Sequence, residues 1–407
     1  MKKNSIFHPN LHGYRQNRST QSALIQMHDT WVKAASNGEV CGALFLDLSC
    51  AFDLVDHQIL IKKLKIYGLD LAFQQWISSY LDDRKQAVWI INCFSPLLET
   101  KVGVPQGSNL GPLFFLIYYN DLLYSLDCDI NAYADDSTLS HSDKSVEVVA
   151  SCLTKNMEKV SKWMEGNRLK LNADKTHILT LGTGARLSSL SPVEVKIEHA
   201  QIKQTPEKSE QLLGILIDCD LKWHNAIHKV LSKLKVRLAA LRKLGCFVPF
   251  KAFRSISDGL FNSVITYCLP LIGGCTKAEI NSIQILQNKA AQLVTRSPPR
   301  SSRNPMFDRL QWLTVNQLLV YHTLLQVYRI RHSGEPEYLF HILGKSSRNG
   351  RISTPVPKLQ LVRDSFTYRG AHWWNSLPSD VRNMKKVSGF KRAVKKWIID
   401  RVPRFLE

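Results

Sequence analysis

The spacing of hydrophobic residues along the chain changes from helical to strand-like within the first fifty positions. Between residues 19 and 35 the apolar residues recur every three or four positions, which predicts an amphipathic helix. Residues 41–48 then form a short, continuous apolar run, typical of a strand that is buried on both faces. The pattern therefore places one carboxylate, that of Asp47, near the end of a buried strand.

Further helices and paired strands are predicted as far as residue 181. Helical spacing occurs at residues 58–67, 72–81, 112–126 and 146–164, and extended segments occur at 86–93, 97–104, 169–171 and 177–181. Residues 130–140 predict a hairpin whose turn holds Asp135 and Asp136. This order predicts an α/β (α+β) domain built on an antiparallel sheet, which ends at the Ser/Gly/Pro-rich stretch 182–192.

The second half of the chain is predicted to be mostly helical. After a strand at residues 211–217, residues 227–244 carry apolar side chains on one helical face and lysines and arginines around the rest. Two linkers rich in Pro, Ser and Arg, at residues 296–305 and 345–357, interrupt the helices that follow.

Charge and composition narrow the class of partner. Of the 407 residues, 54 are Lys or Arg and 34 are Asp or Glu, and the resulting net charge of +20 favours nucleic acid as the partner. The nine cysteines form no CxxC pair, which suits a reducing compartment. The densest apolar run is far shorter than the ~20 residues that cross a bilayer. We therefore expect a soluble intracellular protein, nuclear or cytoplasmic, that has no membrane partner.

Three carboxylates are the strongest candidates for chemistry. If the strand that carries Asp47 lies beside the hairpin that carries Asp135 and Asp136, three like charges meet at one sheet edge and need a cation. Oxygen ligands of this kind suit Mg²⁺, and two such ions about 4 Å apart can support in-line phosphoryl transfer. The alternative is a solvated turn, which is the commoner setting for two adjacent aspartates. Asp53 and Asp56 could equally cap the next helix.

These segments resemble, in order and in wording, the polymerase motifs of non-LTR (LINE-type) retrotransposon reverse transcriptases. The matching stretches are GYRQNRST at 13–20, FLDLSCAFD at 45–53, GVPQGSNLGP at 103–112, YADD at 133–136, LKLNADKT at 169–176, LLGI at 212–215 and LKW at 221–223. The resemblance implies an RNA-directed DNA polymerase that uses an RNA template, a DNA primer, dNTPs and two Mg²⁺ ions.

The resemblance also implies roles for individual residues around the metals. Asp47 and Asp135 would bind both ions with the carbonyl of Leu48, and Asp136 would be an auxiliary ligand or a carboxylate just outside the ligands. Phe52 would lie beneath the incoming sugar and leave no room for a 2′-hydroxyl; its alternative is a plain core residue.

Other implied roles concern the nucleic acid and the leaving group. Gln106 and Gly107 would let the backbone approach the nucleotide and the template base. Lys175 would stand near the departing pyrophosphate, although a lysine in a polar turn is usually only solvated. Arg15, together with Arg18, would face template phosphate or serve only at a helix start.

The implied architecture is a right-hand polymerase. Residues 1–182 would be partial fingers and the palm, 183–245 the end of the palm, the primer grip and the start of the thumb, and 246–407 a helical region of unknown role. The chain begins shortly before the Gly13 motif, so we expect an N-terminally truncated polymerase. An inactive, nucleic-acid-binding remnant is the alternative, and a two-metal nuclease, which needs neither Phe52 nor the 103–112 loop, ranks last.

Overall fold

The structure, a computed structural model, describes residues 6–197, 200–205, 208–245, 247–343, 350–354, 357 and 359–402. The chain divides into two compact units. The first comprises residues 1–23 and 38–206, and the second comprises residues 24–37 and 207–407. Helix α1 (Thr20–Ser36) begins in the first unit and continues in the second.

A five-stranded sheet is the centre of the first unit, with the order β13-β10-β1-β8-β7. Neighbouring strands are antiparallel except for the β10–β13 pair, which is parallel. The strands of the unit are β1 (Val40–Leu46), β2 (Leu48–Ser49), β3 (Lys85–Gln86), β4 (Trp89–Ile90), β5 (Cys93–Phe94), β6 (Leu98–Glu99), β7 (Asp129–Tyr133), β8 (Asp136–Asp143), β9 (Lys170–Leu171), β10 (His177–Leu181), β11 (Lys196–Ile197), β12 (Ala200–Gln201) and β13 (Lys203–Gln204). Every residue of β1 is buried, as its apolar run predicts.

Helices cover the sheet of the first unit and complete its hydrophobic core. They are α2 (His57–Ile66), α3 (Leu71–Leu81), α4 (Gly111–Tyr124), α5 (Val146–Gly166) and α6 (Gly184–Ser188). Helix α4 is buried over most of its length, while α5 buries one face, including Val149, Leu153 and Met157. The predicted combination of an antiparallel sheet with packed helices is therefore confirmed.

A buried lysine ties α2 to α4. Lys63 Nζ donates to the carbonyl of Tyr118 at 2.6 Å and to Asp121 Oδ1 at 2.8 Å. The same ammonium lies 4.7 Å from the ring centre of Tyr118 and 4.6 Å from that of Trp163. Burial lowers the pKa of Lys63, and the carboxylate of Asp121 opposes that shift. The aromatic faces and the carboxylate together compensate for the burial of this charge.

Two predicted strands turn out to contain turns. The segment 86–93, expected to be one extended arm, reverses at Ile91 and Asn92, whose φ angles are 45° and 65°. The segment 211–217 likewise reverses at Leu213 and Gly214, with φ angles of 46° and 83°. Two consecutive positive φ angles are typical of tight hairpin turns. Of these four residues, only Asn92 and Gly214 are of a type that signals such a turn. The hydrophobic pattern alone therefore predicted one continuous strand where each segment forms a hairpin.

The second unit combines one hairpin with helices. Its elements after α1 are β14 (Ser209–Leu212), β15 (Ile215–Asp218), α7 (His224–Leu244), α8 (Phe250–Ser257), a π-helical turn (Asp258–Asn262), α9 (Ser263–Thr266), α10 (Leu269–Ile272), α11 (Lys277–Thr295), α12 (Arg303–Leu310), α13 (Val315–Ser333), α14 (Glu337–Leu343), α15 (Gln360–Arg363), α16 (Phe366–Ser376), α17 (Ser379–Arg382) and α18 (Val387–Arg401). The predicted basic helix is α7, and it buries the apolar face that includes Ile227, Leu234 and Leu241.

In the part of the chain that the structure describes, every helix is too short or too polar to span a bilayer. Much of the second predicted linker, namely residues 345–349 and 355–356, lies outside the described residues.

Candidate active site

The first candidate carboxylate lies where the central strand of the sheet ends. Asp47 follows the last residue of β1, Leu46, which pairs with Ser137 of β8. Because the two strands are antiparallel, Asp47 lies beside the residue that precedes Ser137, which is Asp136. The carbonyl of Asp47 accepts a 2.8 Å hydrogen bond from the amide of Asn172, which fixes the backbone on its other side.

The other two carboxylates lie at the turn between β7 and β8. Asp136 is the first residue of β8 and pairs with Tyr133, so that Ala134 and Asp135 form the turn. Ala134 has a φ of 59°, in the left-handed region that favours glycine. The strand β1 lies beside the β7–β8 hairpin, and the sheet thus brings Asp47, Asp135 and Asp136 to the same edge.

The three carboxylates also interact through their charges. Burial raises the pKa of Asp136 above its ordinary value, and the charges of Asp135 and Asp47 raise it further. Three carboxylates at one edge are the donor set that a hard divalent cation requires. Within the described residues, however, no three acidic, His or Cys side chains are already drawn together into a metal cage. The donor chemistry therefore fits the ion, and the side chains would have to converge around it.

Neutralising Asp136 is expected to stabilise the protein in EDTA at neutral pH. Because the raised pKa makes the native state bind the proton more tightly than the unfolded state, wild-type stability falls as pH rises from about 3.8 through the folded pKa. Asp136→Asn does not titrate, so its melting temperature should exceed that of wild type increasingly across this window. Thermal unfolding over a pH series measures the difference. A difference in melting temperature that stays constant or shrinks as the pH rises through this window contradicts the expectation.

Lys175 lies beside the first carboxylate. Its Nζ is 4.0 Å from Asp47 Oδ2, and 71% of its side chain is exposed. The backbone that carries it turns on Asn172, whose carbonyl accepts from the amides of Lys175 and Thr176. An exposed pair at this distance contributes little to stability, so the lysine is available to a charged ligand.

An aromatic column links Phe52 to the β7–β8 hairpin. Phe52 stacks on Phe115 of α4 at 4.6 Å, and Phe115 stacks on Tyr119 at 5.5 Å. The hydroxyl of the fully buried Tyr119 lies 2.9 Å from the hydroxyl of Ser137, next to Asp136. Burial raises the pKa of Tyr119. Sequence reasoning missed Tyr119, whose only signal is a hydroxyl within an apolar helix.

The loop that follows β6 packs closely on the segment after β2. The amides of Gly103 and Val104 donate to the carbonyls of Val55 and Phe52, at 2.7 Å and 2.9 Å. Gly103 has a φ of 89°, and a Cβ there would lie 2.8 Å from the carbonyl oxygen of Asp53. The absence of a side chain at Gly103 therefore allows the loop backbone to lie close to the backbone at Asp53. Sequence reasoning did not single out this glycine.

The two predicted residues of this loop lie farther out. Gln106 Nε2 donates to Asp53 Oδ1 at 2.8 Å, which joins the loop to the segment that carries Phe52. Gly107 has a φ of 77°, and a side chain there would meet open space. The positive φ angle favours glycine at position 107, and the open space around it leaves room for a ligand.

Asp56 serves the structure as a helix cap. Its carboxylate accepts from the amide of Ile59 at 2.9 Å, at the start of α2, and from Arg168 Nη1 at 2.6 Å. Of the alternatives for this residue, helix capping is the one that the geometry shows.

The N-terminal segment packs against the β7–β8 hairpin. Leu11 forms a parallel bridge with Ala132 of β7, and the amide of His12 donates to the carbonyl of Ala132 at 2.7 Å. Gly13 follows, and a Cβ at this position would lie only 2.6 Å from the backbone nitrogen of Ala134. The backbone before Asp135 therefore rests on a glycine more than a hundred positions away in the sequence.

Arg15 holds this N-terminal segment together. Its Nη1 donates to the carbonyls of His8 and Leu11, at 2.8 Å and 2.9 Å. These bonds give Arg15 a structural role, and its predicted contact with template phosphate stays a prediction.

Comparison with known proteins assigns the chain to a class. Residues 1–217 of the 407 match the family described as reverse transcriptase (RNA-dependent DNA polymerase). The chain belongs to this family, whose members generally use divalent metal ions. The predicted α/β fold of a right-hand polymerase is thereby confirmed.

Individual relatives place the chain among LINE-type elements. The probable RNA-directed DNA polymerase from transposon BS of Drosophila melanogaster is 28% identical over 336 residues, covering 78% of this chain and 36% of that protein. The probable polymerase from transposon X-element of the same organism is 26% identical, covering 87% and 39%. The polymerase from mobile element jockey is 26% identical, covering 70% and 32%. The resemblance to non-LTR retrotransposon reverse transcriptases is confirmed, and the chain spans less than two fifths of the length of these relatives.

Solved structures show a more distant likeness. A telomerase from Candida albicans, in complex with a fragment of telomeric RNA, has a TM-score of 0.41 and 13% identity, over 77% of this chain and 55% of that chain. An apo telomerase from Candida tropicalis has a TM-score of 0.41 and 11% identity, over 84% and 58%.

Proposed function

We propose that this chain catalyses RNA-directed DNA synthesis, in which a DNA primer on an RNA template is extended with dNTPs. The observation that carries the proposal is the meeting of Asp47, Asp135 and Asp136 at one edge of the palm sheet. The cofactor proposed for this edge is a pair of Mg²⁺ ions, which would activate the primer hydroxyl and offset the charge of the leaving group.

The residues around these carboxylates divide the remaining tasks. Asp47 and Asp135 would hold the ions with the carbonyl of Leu48, and Asp136 would be an auxiliary ligand or a carboxylate just outside the ligands. Lys175, beside Asp47, would offset charge on the departing pyrophosphate or donate a proton to it.

Substrate selection would fall to Phe52 and the loop after β6. The ring of Phe52 is fixed on Phe115 and would form the floor under the deoxyribose. Gln106 and Gly107 would face the incoming nucleotide and the template base. The hydrogen bond from Gln106 to Asp53 supports this interpretation, since it joins the loop to the segment after β2 that carries Phe52.

The second unit has a separate groove that could bind nucleic acid. A groove of about 320 Å³ runs between the β14–β15 turn and α7. Lys229, Lys233 and Arg237 line it, and they lie on one face of the helix because they are spaced four residues apart. A row of cations about 6 Å apart can follow the phosphates of a nucleic-acid strand.

Primer extension tests the proposed function. The purified chain is expected to extend a labelled DNA primer on an RNA template in the presence of Mg²⁺ and dNTPs, and EDTA should stop the reaction. Asp135→Asn is the matched control because it keeps the shape of the side chain and removes its charge. Equal extension by wild type and Asp135→Asn, or none by wild type, would reject the proposal, and RNA binding without synthesis would then favour an inactive remnant.

A further inference from the structure

The hairpin of residues 84–101, between α3 and the Gly103 loop, exposes an apolar surface. Seven of its side chains have exposed fractions between 61% and 90%: Val88, Trp89, Ile90, Ile91, Phe94, Leu97 and Leu98. A two-stranded hairpin is only marginally stable alone, and an exposed apolar patch usually marks a binding surface. This hairpin therefore has the properties of a surface that is covered by a ligand.

One face of the hairpin carries an aromatic pair. Trp89 and Phe94 are opposite each other across the β4–β5 ladder, and their rings are stacked with centres 6.1 Å apart and planes inclined by 22°. The next pair, Ile90 and Cys93, points to the other face because side chains alternate along a strand. The aromatic side chains are thus gathered on one face, with 63% of Trp89 and 76% of Phe94 exposed.

The base of the hairpin opens into a polar groove of about 680 Å³. Three cations line it, Arg84, Lys85 and Lys101. Two carboxylates also line it, and each faces a local partner: Glu99 is opposite Lys85 in the β3–β6 ladder, and Asp53 accepts from Gln106. The lining therefore has cations in excess over carboxylates.

The same groove extends to the loop that follows β6. Its lining includes Gly103, Pro105 and Gln106, which belong to the loop that packs against the Phe52 segment. A ligand that covers the aromatic face and follows the groove would consequently arrive at Gln106 and Asp53.

We propose that the 84–101 hairpin is a platform for single-stranded nucleic acid, on which bases of the incoming template stack against Trp89 and Phe94. The phosphates of the strand lie in the groove near Arg84 and Lys101, and the strand leads to Gln106. Exposed aromatic rings beside a cationic groove are the combination by which proteins hold single strands without regard to sequence. A purely apolar partner would leave the groove and its cations without a function. This inference rests on the proposed polymerase function and adds a template-holding element to it.

Binding of a short fluorescein-labelled single-stranded RNA, followed by anisotropy without Mg²⁺ or dNTPs, tests the platform. The double variant Trp89→Leu/Phe94→Leu keeps the apolar surface but removes the aromatic faces, and its affinity should fall roughly tenfold or more. Trp89→Phe, which keeps a ring, should bind nearly as well as wild type. Equal affinity of the double variant and wild type overturns the proposal.

The groove is tested separately through the salt dependence of binding. Arg84→Gln and Lys101→Gln should each lower the slope of log affinity against log salt by roughly one, because each removes one phosphate contact. Ile285→Gln, at a side chain that is 48% exposed on α11, is the control that should leave the slope unchanged. Unchanged slopes in both charge variants contradict the path along the groove.

Self-association is the competing use of an apolar hairpin. If wild type sediments as a dimer, Trp89→Asp sediments as a monomer and RNA affinity is the same in both, the hairpin is an interface between copies and the proposal is overturned. Circular dichroism of each variant establishes that the fold is kept.

The two proposals fail in distinguishable ways. Asp135→Asn should lose primer extension and keep its RNA affinity. Extension that is normal in the hairpin variants, with unchanged RNA binding, rejects the platform alone. Hairpin-dependent RNA binding in a wild-type chain that extends no primer rejects the polymerase function and leaves the platform in place.

Discussion

Asp47→Asn is expected to lower the rate of primer extension roughly a thousandfold, the scale associated with losing one preorganised electrostatic contact to a transition state. Asparagine keeps the size of the side chain and an oxygen, but it removes the charge beside Asp136 and Lys175. Single-turnover extension at saturating dNTP measures the chemical step without contributions from template binding.

A second carboxylate on the same sheet provides the control for this loss. Asp129 begins β7, pairs with Ser140 and is exposed, so Asp129→Asn should keep the extension rate within a few-fold. The melting temperature of Asp47→Asn should not fall, since the substitution removes a like charge from a crowded edge. A similar loss of rate in both variants, or extensive unfolding of Asp47→Asn, would contradict a role for Asp47 in the chemistry.

Gly13→Ala is expected to reduce extension roughly a hundredfold, although Gly13 is not a candidate ligand. The added methyl group would lie 2.6 Å from the backbone nitrogen of Ala134, too close for a non-bonded carbon and nitrogen, so the turn that carries Asp135 must move. A displacement of about 1 Å in a reacting group costs on this order in rate. The extension rate and the RNA affinity should be measured together, because only the first should fall.

The matched control is a glycine with space around it. A Cβ at Gly166, the last residue of α5, would meet nothing within 4 Å, so Gly166→Ala should be neutral or slightly stabilising. Normal extension by Gly13→Ala would show that the hairpin tolerates the shift and that the N-terminal segment is not a positioning element.

The sequence predicted the central part of the fold because each element there has one dominant physical signal. The apolar run of β1 has a single stable location, a strand buried on both faces, and Asp47 must then emerge where it ends. The aspartates at 135 and 136 lie between two short segments of strand character, so their position at the hairpin turn follows directly. The periodic face of α5, which is buried along one side of the helix, belongs to the same category.

The remaining features depend on contacts between distant residues, and local patterns do not contain them. The apolar composition of residues 86–93 suggested one strand, whereas the chain turns at Ile91, a residue type that gives no turn signal. The support that Gly13 gives to Ala134 and that Tyr119 gives to Ser137 arises only when the elements pack. Arg15 has the charge that a phosphate ligand needs, but its side chain donates hydrogen bonds to the carbonyls of His8 and Leu11. These contacts form only when the N-terminal segment folds, so the sequence pattern does not predict them.

Helix α1 has a consequence for how this protein can be divided. Its first turn belongs to one compact unit and the rest to the other, where the ring of His28 packs on Trp223 at 4.6 Å. A fragment cut at residue 207 would lack the helix that covers Trp223 and would leave an apolar site open to aggregation. A C-terminal half taken from another element and joined at residue 207 is therefore expected to fold well only when residues 24–37 are replaced together with it.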